Sequence, residues 1–169
     1  LARAAGLTVI ATASRPETVE WVTRLGADHV VNHREPLAPQ VRALGMEFVD
    51  HIAIFNDTDG HWASVSELIR PQGRVVTIVE NSQPLDQGAL KLKSAALMWE
   101  FMYTRSMFQT PDMIEQHRLL NHIADEIDAG RLTCTVSETM SPINAANLRK
   151  AHELLESGRA RGKLTLTWD

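Results

Sequence analysis

The chain places a serine and an arginine, Ser14 and Arg15, where an apolar run gives way to a helix-like segment. The run Leu7 to Ala13 is rich in β-branched residues, which predicts a buried strand ending at this pair. In a doubly wound sheet this strand end contacts the adenosine ribose of a bound dinucleotide, and an acid there serves NAD. A carboxylate about 4 Å from a 2′-phosphate would be repelled by about 4 kcal/mol at an effective dielectric constant of roughly 20. Arg15, with no competing acid expected beside it, offers charge-assisted hydrogen bonds instead, and the pair therefore favours NADPH.

The same two residues also have a purely structural interpretation. Ser14 and Glu17 have the spacing of a capping box at the start of a helix. Ser14 is then only a helix cap, and Arg15 only a solvated charge. The two roles of Ser14 are compatible, because an anion can bind at the same helix N-terminus.

The seven histidines and the single cysteine offer little for a metal or a nucleophile. His29 and His33 are four residues apart in a strand-and-turn context, and His117 and His122 are five apart on a helix. Neither spacing puts two imidazoles on one helical face beside a third ligand, so we expect no bound metal. Cys134 has no evident His or Asp partner, and we expect a buried structural thiol.

The composition limits the classes of partner. The 169 residues are 44% hydrophobic and 22% charged, as in globular domains, and the net charge is −4. An acidic chain does not favour nucleic acid or an anionic membrane, and no apolar run reaches the ~20 residues of a spanning helix. A single cysteine fits a reducing, cytoplasmic setting. The first residues, LARAAG, lack an initiator Met and a signal-peptide layout, so we expect a fragment.

β-branched runs alternate with amphipathic segments, which predicts βα units and a parallel sheet. A short helical tail, Leu1 to Ala5, precedes the first strand. The predicted strands are Leu7–Ala13, His29–Asn32, Phe48–Phe55, Arg74–Val79 and Ala96–Phe101. The predicted helices between them carry Val19, Val22 and Leu25, then Leu37 to Leu44, then Trp62, Val65, Leu68 and Ile69.

A change of composition follows the fifth strand. Thr110-Pro111 is expected to start a long helix that ends at Gly130, and a second helix runs from about Ala145 to Ser157. The closing strand, Lys163 to Trp168, alternates apolar and polar residues, which predicts an edge or half-buried strand with Trp168 facing inward.

Six motifs in order carry a resemblance that covers essentially the whole chain: TVIATASRPE, LGADHVVNH, PQGRVV, WEFMYTRSM, FQTPDMIEQH and ESGRARGKLTL. The chain resembles the medium-chain dehydrogenase/reductase superfamily, and within it the zinc-type alcohol dehydrogenase-like branch related to quinone oxidoreductases. The resemblance implies an α/β fold, a doubly wound parallel (Rossmann-like) sheet with a C-terminal helix-strand unit. Residues 1–118 would be a partial dinucleotide-binding domain. Residues 119–169 would pack toward a catalytic domain.

Members of this superfamily have an N-terminal catalytic domain and a nucleotide-binding domain that opens with a strand and a Gly-rich turn. This sequence contains neither, and would join the pattern inside the first helix. In the family the opening strand lies between the strands predicted at Leu7–Ala13 and Phe48–Phe55. Each buried backbone group left unpaired there would cost ~1–3 kcal/mol, against a total stability of ~5–15 kcal/mol.

The resemblance also implies positions around a dinucleotide. Ser14, Arg15 and His33 would touch the 2′-phosphate, Asn56 would lie near the adenosine, and Val79 near the nicotinamide. The segment from Phe101 to Phe108 would cover the nicotinamide face, and Lys163 would approach the cofactor. Core packing remains open for Phe55, Val79 and the 101–108 segment, as does a solvated position for Lys163.

The leading interpretation is a fragment of an NADPH-dependent oxidoreductase that transfers hydride to a small carbonyl, a quinone or another activated alkene. The catalytic residue is unknown. The alternative is a non-catalytic dinucleotide-binding or redox-sensing module. A methyltransferase-type domain is a third possibility, but it needs an acid at the end of the second family strand. The edge strand Ala96 to Phe101 predicts a homodimer.

Overall fold

The computed structural model describes residues 1–168 and divides the chain into two units, one covering residues 2–116 and one beginning at His117. The elements of the larger unit are β1 (Ile10–Thr12), α1 (Pro16–Arg24), β2 (His29–Val31), α2 (Leu37–Ala43), β3 (Val49–Ile54), α3 (Thr58–Leu68), β4 (Ile69–Thr77), α4 (Gly88–Lys91), β5 (Ala96–Trp99) and α5 (Thr104–Phe108). Then follow α6 (Ile114–Asp128), β6 (Val136–Met140), α7 (Ala145–Glu156) and β7 (Lys163–Leu166). None of the helices in the described chain is long and apolar enough to cross a membrane.

All strand pairs in the structure are parallel. β1 pairs with β2, and β3, β4 and β5 form a three-stranded sheet in that order. Parallel neighbours need a crossover connection, which the helices between the strands supply. The prediction of an α/β fold with a parallel sheet is therefore confirmed.

The strands β1 and β3 each have one open edge. Ala13 N–H donates to Val31 O at 2.9 Å, and Ile78 N–H donates to Ile54 O at 3.2 Å. Because strand residues alternate in the direction of their backbone groups, every second residue of β1 and β3 points away from its partner strand. Within residues 1–168 no strand pairs with those edges. This is the place that the resemblance assigns to a further strand.

Two apolar clusters form the core of the larger unit. One lies around Val75 of β4 and consists of Ile54, Trp62, Val65, Ile69, Val75 and Leu90. The other consists of Val31, Ala38, Val41 and Leu68, with Ile10 of β1 and Val49 of β3 packed against it. Since the second cluster takes residues from both sheets, the two sheets share a core. Full burial of such an aliphatic side chain contributes about 1.5–3 kcal/mol.

The start of α1 differs from the prediction. Pro16 is the first helical residue, and Arg15 before it is extended, with φ −111° and ψ 144°, as the residue preceding a proline usually is. Arg15 is therefore the N-cap. Its N–H donates to the Thr18 hydroxyl at 3.3 Å, and that hydroxyl donates back to Arg15 O at 2.8 Å. The predicted capping box of Ser14 and Glu17 is wrong because the proline moves the cap one residue along.

Three element boundaries also differ. Residues 2–6 form turns, with Gly6 N–H bonded to Arg3 O, where the sequence predicted the tail of a helix. Ile69 opens β4 and does not close α3, and the strand passes through Gln72 at a φ of +62°. The turn at Thr110 is held by its hydroxyl donating to Asp112 Oδ1 at 2.6 Å, so α6 begins only at Ile114.

The C-terminal unit contains a strand that the sequence did not predict. β6 pairs in parallel with β7, and the Thr139 and Thr165 hydroxyls lie 2.9 Å apart across the pair. Two expectations for this unit are wrong. Trp168 is largely exposed and does not face inward, and Cys134 is an exposed thiol and not a buried one.

Candidate functional site

Ser14, Arg15 and His33 follow the carboxyl ends of the two strands of the first sheet. The register pairs Thr12 with Val31. Ser14 therefore follows the last paired residue of β1 by two positions, and His33 follows that of β2 by the same number. Ligands of open α/β sheets bind at the carboxyl ends of strands. The three residues that the resemblance assigns to one phosphate thus follow strand ends at the same edge of one sheet.

An acid lies beside Arg15, against the expectation. Arg15 Nε is 3.2 Å from Glu17 Oε1, and the two side chains are 32% and 53% exposed. The extended backbone at Arg15 turns the guanidinium toward the first helical turn, where Glu17 is the second residue. A guanidinium at the positive end of a helix dipole favours an anion. The guanidinium of Arg15 already binds one anionic group, the carboxylate of Glu17. The residues present therefore fit a phosphate group.

The turn that carries His33 is fixed by its neighbours. Asn32 N–H donates to Gln40 Oε1 at 2.8 Å, and Gln40 Nε2 donates to Asn32 O at 3.0 Å. The Asn32 side chain in turn accepts from Arg34 N–H at 3.0 Å. These bonds hold the backbone on both sides of His33, whose side chain is exposed. An imidazole held in this way can donate a hydrogen bond to an anion at the sheet edge.

A second group of residues lies at the carboxyl ends of β3 and β4. Ile54, the last residue of β3, is buried, whereas Phe55 after it is 69% exposed. The core-packing interpretation of Phe55 is therefore wrong for the described chain. Asn56 is also exposed and precedes the first turn of α3. The neighbouring strand β4 ends at Thr77, two residues before Val79.

Two buried threonines join these strand ends, and the sequence did not identify either. The Thr58 hydroxyl donates to Val79 O at 2.6 Å and lies 2.9 Å from the Thr77 hydroxyl, which accepts from Val79 N–H at 3.2 Å. The one local signal for Thr58 is the N-cap before it. Asp57 caps α3 by accepting from Gly60 N–H at 2.8 Å, which places Thr58 at the first helical position. The structure thereby brings the segment after Asn56 against Val79.

Asp59 holds the loop that follows Val79. Its carboxylate accepts from Ser82 N–H and from the Ser82 hydroxyl, both at 2.7 Å, and from Gln83 N–H at 3.3 Å. The hydrogen bonds from Ser82 lower the pKa of Asp59 below its ordinary value. The first turn of α3 thus fixes the backbone after β4 at two points, Val79 and Ser82.

The segment after β5 begins beside the end of β4. Glu100 N–H donates to Thr77 O at 3.0 Å, which places Phe101 next to the strand end that leads to Val79. Phe101 stacks edge-on against Tyr103 with ring centroids 5.4 Å apart. Both rings and the following Met107 and Phe108 are exposed. The segment is an apolar surface, and not core in the described chain.

Lys163 belongs to the C-terminal unit. It is the exposed first residue of β7, and its N–H donates to Thr135 O at 2.8 Å. In residues 1–168 no group of three or more His, Cys, Asp or Glu side chains is placed to hold a metal ion.

Comparison with known proteins identifies the family. A family model described as zinc-binding dehydrogenase matches residues 25–166. A zinc-type alcohol dehydrogenase-like protein of Staphylococcus aureus is 42% identical over 166 residues, covering 98% of this chain and 50% of that protein. A candidate zinc-dependent alcohol dehydrogenase from Rhizobium etli, known as a crystal structure, superposes with a TM-score of 0.89 at 50% identity, covering 96% of this chain and 48% of that one.

The quinone oxidoreductase of Escherichia coli, solved in complex with NADPH, superposes with a TM-score of 0.74 at 20% identity, covering 98% of this chain and 51% of that one. At this identity the likeness shows the fold alone. The chain spans about half the length of the curated relatives it matches. The Rossmann-like fold and the family resemblance are confirmed, and the chain belongs to the zinc-binding dehydrogenase family.

Proposed function

We propose that the chain is the dinucleotide-binding part of an NADPH-dependent oxidoreductase that transfers hydride to a small carbonyl, a quinone or another activated alkene. The observation that carries the proposal is the guanidinium of Arg15 at the N-terminus of α1, 3.2 Å from a carboxylate that stands in for an anion. When bound, NADPH supplies the hydride, and the protein supplies binding and orientation.

The adenosine end of the cofactor is proposed to lie at the carboxyl edge of the β1-β2 sheet. Arg15 offers the charge, Ser14 a hydroxyl, and His33 an exposed imidazole on the neighbouring strand end. No carboxylate occupies position 13, 14 or 15, where an acid would bind the ribose hydroxyls of NAD. This donor set supports NADPH over NADH.

The nicotinamide end is proposed to lie at Val79, with Asn56 toward the adenosine. The two threonine hydroxyls that hold Val79 leave its backbone little freedom, and a fixed backbone is what positions a reacting ring. The exposed aromatic segment from Phe101 offers an apolar cover for that ring. Lys163 is proposed as a further residue that contacts the cofactor.

A second candidate is a module that binds the dinucleotide without turnover, as a redox sensor. A sensor needs no proton donor, and no catalytic acid is identified for the oxidoreductase: Asp59, the acid bonded to the loop after Val79, serves as a structural partner of Ser82. The oxidoreductase proposal therefore leaves the proton donor outside the residues assigned to the cofactor.

We also propose a homodimer formed through β5, the open edge of the three-stranded sheet.

A reducing compartment such as the cytoplasm is proposed as the location, because it keeps the exposed Cys134 thiol reduced.

The test uses the full-length natural protein and fluorescence titration with NADPH and NADH. Loss of a charge-assisted contact predicts that Arg15→Ala weakens NADPH binding by about 10- to 100-fold and leaves NADH binding unchanged. Arg24→Ala, a charge removal at the other end of α1, is the matched control. An unchanged ratio of the two affinities in Arg15→Ala overturns the cofactor assignment. Turnover with a panel of quinones and aldehydes separates the enzyme from the sensor.

A further inference from the structure

We propose that Glu17 is a specificity-determining residue: its carboxylate is an internal competitor for the 2′-phosphate at Arg15, and it lowers the preference for NADPH over NADH. The inference rests on the proposed function, in which Arg15 binds that phosphate. It goes beyond it, because it assigns a role to the acid that the guanidinium contacts.

The geometry places Glu17 where a bound anion would lie. α1 has 9 residues and begins with Pro16, so Glu17 is in the first turn, at the positive end of the helix dipole. Its Oε1 is 3.2 Å from Arg15 Nε. The carboxylate therefore gains from the two sources of positive potential, guanidinium and helix terminus, that would stabilise a phosphate.

The charges decide which anion wins. A half-exposed ion pair is weak, since water screens it and two side chains lose freedom. A phosphate monoester carries more charge than a carboxylate and accepts more hydrogen bonds, so it displaces Glu17 from Arg15. The displaced carboxylate remains close by and repels the phosphate, which adds to the loss of the pair. NADH brings no phosphate to this position and has nothing to displace.

The selective consequence is a change in one affinity only. Removing the carboxylate frees the guanidinium, so Glu17→Gln tightens NADPH binding by about two- to five-fold, the equivalent of one exposed ion pair. The same variant does not tighten NADH binding. Any change is a weakening, because the ribose hydroxyl of NADH loses the Glu17 carboxylate as an acceptor. Adenosine 2′,5′-bisphosphate, which carries the 2′-phosphate, binds more tightly to Glu17→Gln, as NADPH does. Adenosine 5′-monophosphate, which lacks it, does not.

The experiment is a titration of the full-length protein with these four ligands in four variants, Glu17→Gln, Glu20→Gln, Arg15→Ala and the double variant Arg15→Ala/Glu17→Gln. Glu17→Gln is compared with Glu20→Gln, which removes an equal charge from α1 one turn away from the contact with Arg15. The double variant Arg15→Ala/Glu17→Gln tests the coupling of the two residues. In the absence of the guanidinium, replacing Glu17 by glutamine is expected not to tighten the binding of the 2′-phosphorylated ligands.

The outcomes separate the two proposals. A gain for the 2′-phosphorylated ligands in Glu17→Gln that is absent in Glu20→Gln supports the competitor role. Equal behaviour of the two glutamine variants, with NADPH binding still lost in Arg15→Ala, overturns this inference and leaves the proposed function intact. Unchanged NADPH binding in Arg15→Ala overturns both.

Discussion

The hydroxyl of Thr58, at the first position of α3, lies 2.9 Å from the hydroxyl of Thr77, at the last position of β4, and both side chains are almost fully buried. The Thr58 hydroxyl donates to the carbonyl of Val79 at 2.6 Å, the Thr77 hydroxyl donates to that of Thr58, and Thr77 Oγ1 accepts from Val79 N–H at 3.2 Å. Among the described residues no buried side-chain nitrogen or oxygen lacks a hydrogen-bond partner. The pair is therefore a satisfied polar contact inside an apolar core, and it ties a helix start to the end of the central strand.

Replacing Thr58 by valine keeps the shape of the side chain and removes the hydroxyl. We expect Thr58→Val to lower the free energy of unfolding by about 1–3 kcal/mol, because the carbonyl of Val79 and the Thr77 hydroxyl lose a buried partner. Urea unfolding of the full-length protein measures this. Thr23→Val is the control, since the Thr23 hydroxyl bonds to Val19 O on the exposed surface of α1. An equal decrease in the free energy of unfolding in both variants would contradict a special contribution of the buried Thr58 hydroxyl.

Asp59 predicts a dependence of stability on pH. Its pKa in the folded protein lies below the ordinary value of 3.8, chiefly because Ser82 N–H and the Ser82 hydroxyl bond to the carboxylate. A lowered folded pKa means that the contribution is fully present above pH 3.8 and is lost as the pH falls through the folded pKa.

We expect Asp59→Asn to be less stable than the natural protein at pH 7 and to converge with it in acid. Ser82→Ala, which keeps the backbone donor but removes the hydroxyl, is expected to show a smaller form of the same effect. Thermal melts at a series of pH values measure both. A gap between the curves that stays constant with pH would contradict this role of Asp59.

Lys93 is expected to stabilise the C-terminus of α3. Its ammonium group donates to Ser66 O at 2.9 Å, to Glu67 O at 2.6 Å and to Ile69 O at 2.8 Å. Desolvation at this position lowers the pKa of Lys93, but a cation near helix carbonyls is still favourable. Lys93→Met is expected to cost about 1–3 kcal/mol, as a group of charged hydrogen bonds is lost. Chemical denaturation measures this loss. Lys91→Met, at an exposed neighbouring lysine, is the control.

The local patterns predicted the order of β1 to β5 and of α1 to α3 in the larger unit, but not the short helices α4 and α5. β1 to β4 contain β-branched residues, and α1 to α3 each have an apolar face, so that no distant residue is needed to place them. Pro16 also marked the start of α1. Yet the cap moved from Ser14 to Arg15, because the proline's effect on the residue before it outweighed the serine-glutamate pattern.

Most of the parts that the sequence missed depend on contacts between residues that are distant in the chain, and one depends on local backbone geometry. Thr58 and Thr77 are 19 residues apart, and only the pairing of β3 with β4 brings their hydroxyls together. The pairing of Arg15 with Glu17 follows from the turn of the backbone at the proline, which the residue types do not state. β6, with the sequence VSETM, has no apolar alternation and becomes a strand through its pairing with β7.

The open edge of β5 gives the last prediction, a homodimer at micromolar concentrations of the full-length protein. β5 bonds to β4 on one side, and its Met98 side chain is 47% exposed. An edge strand with exposed apolar side chains pairs readily with a second copy, and a charge in it prevents this. Met98→Glu is therefore expected to shift sedimentation velocity profiles from dimer to monomer without lowering the melting temperature of the monomer. Leu92→Glu, at a side chain 93% exposed and outside the strand, should remain a dimer. A monomeric natural protein at tens of micromolar, or dissociation in both variants, would place the interface elsewhere.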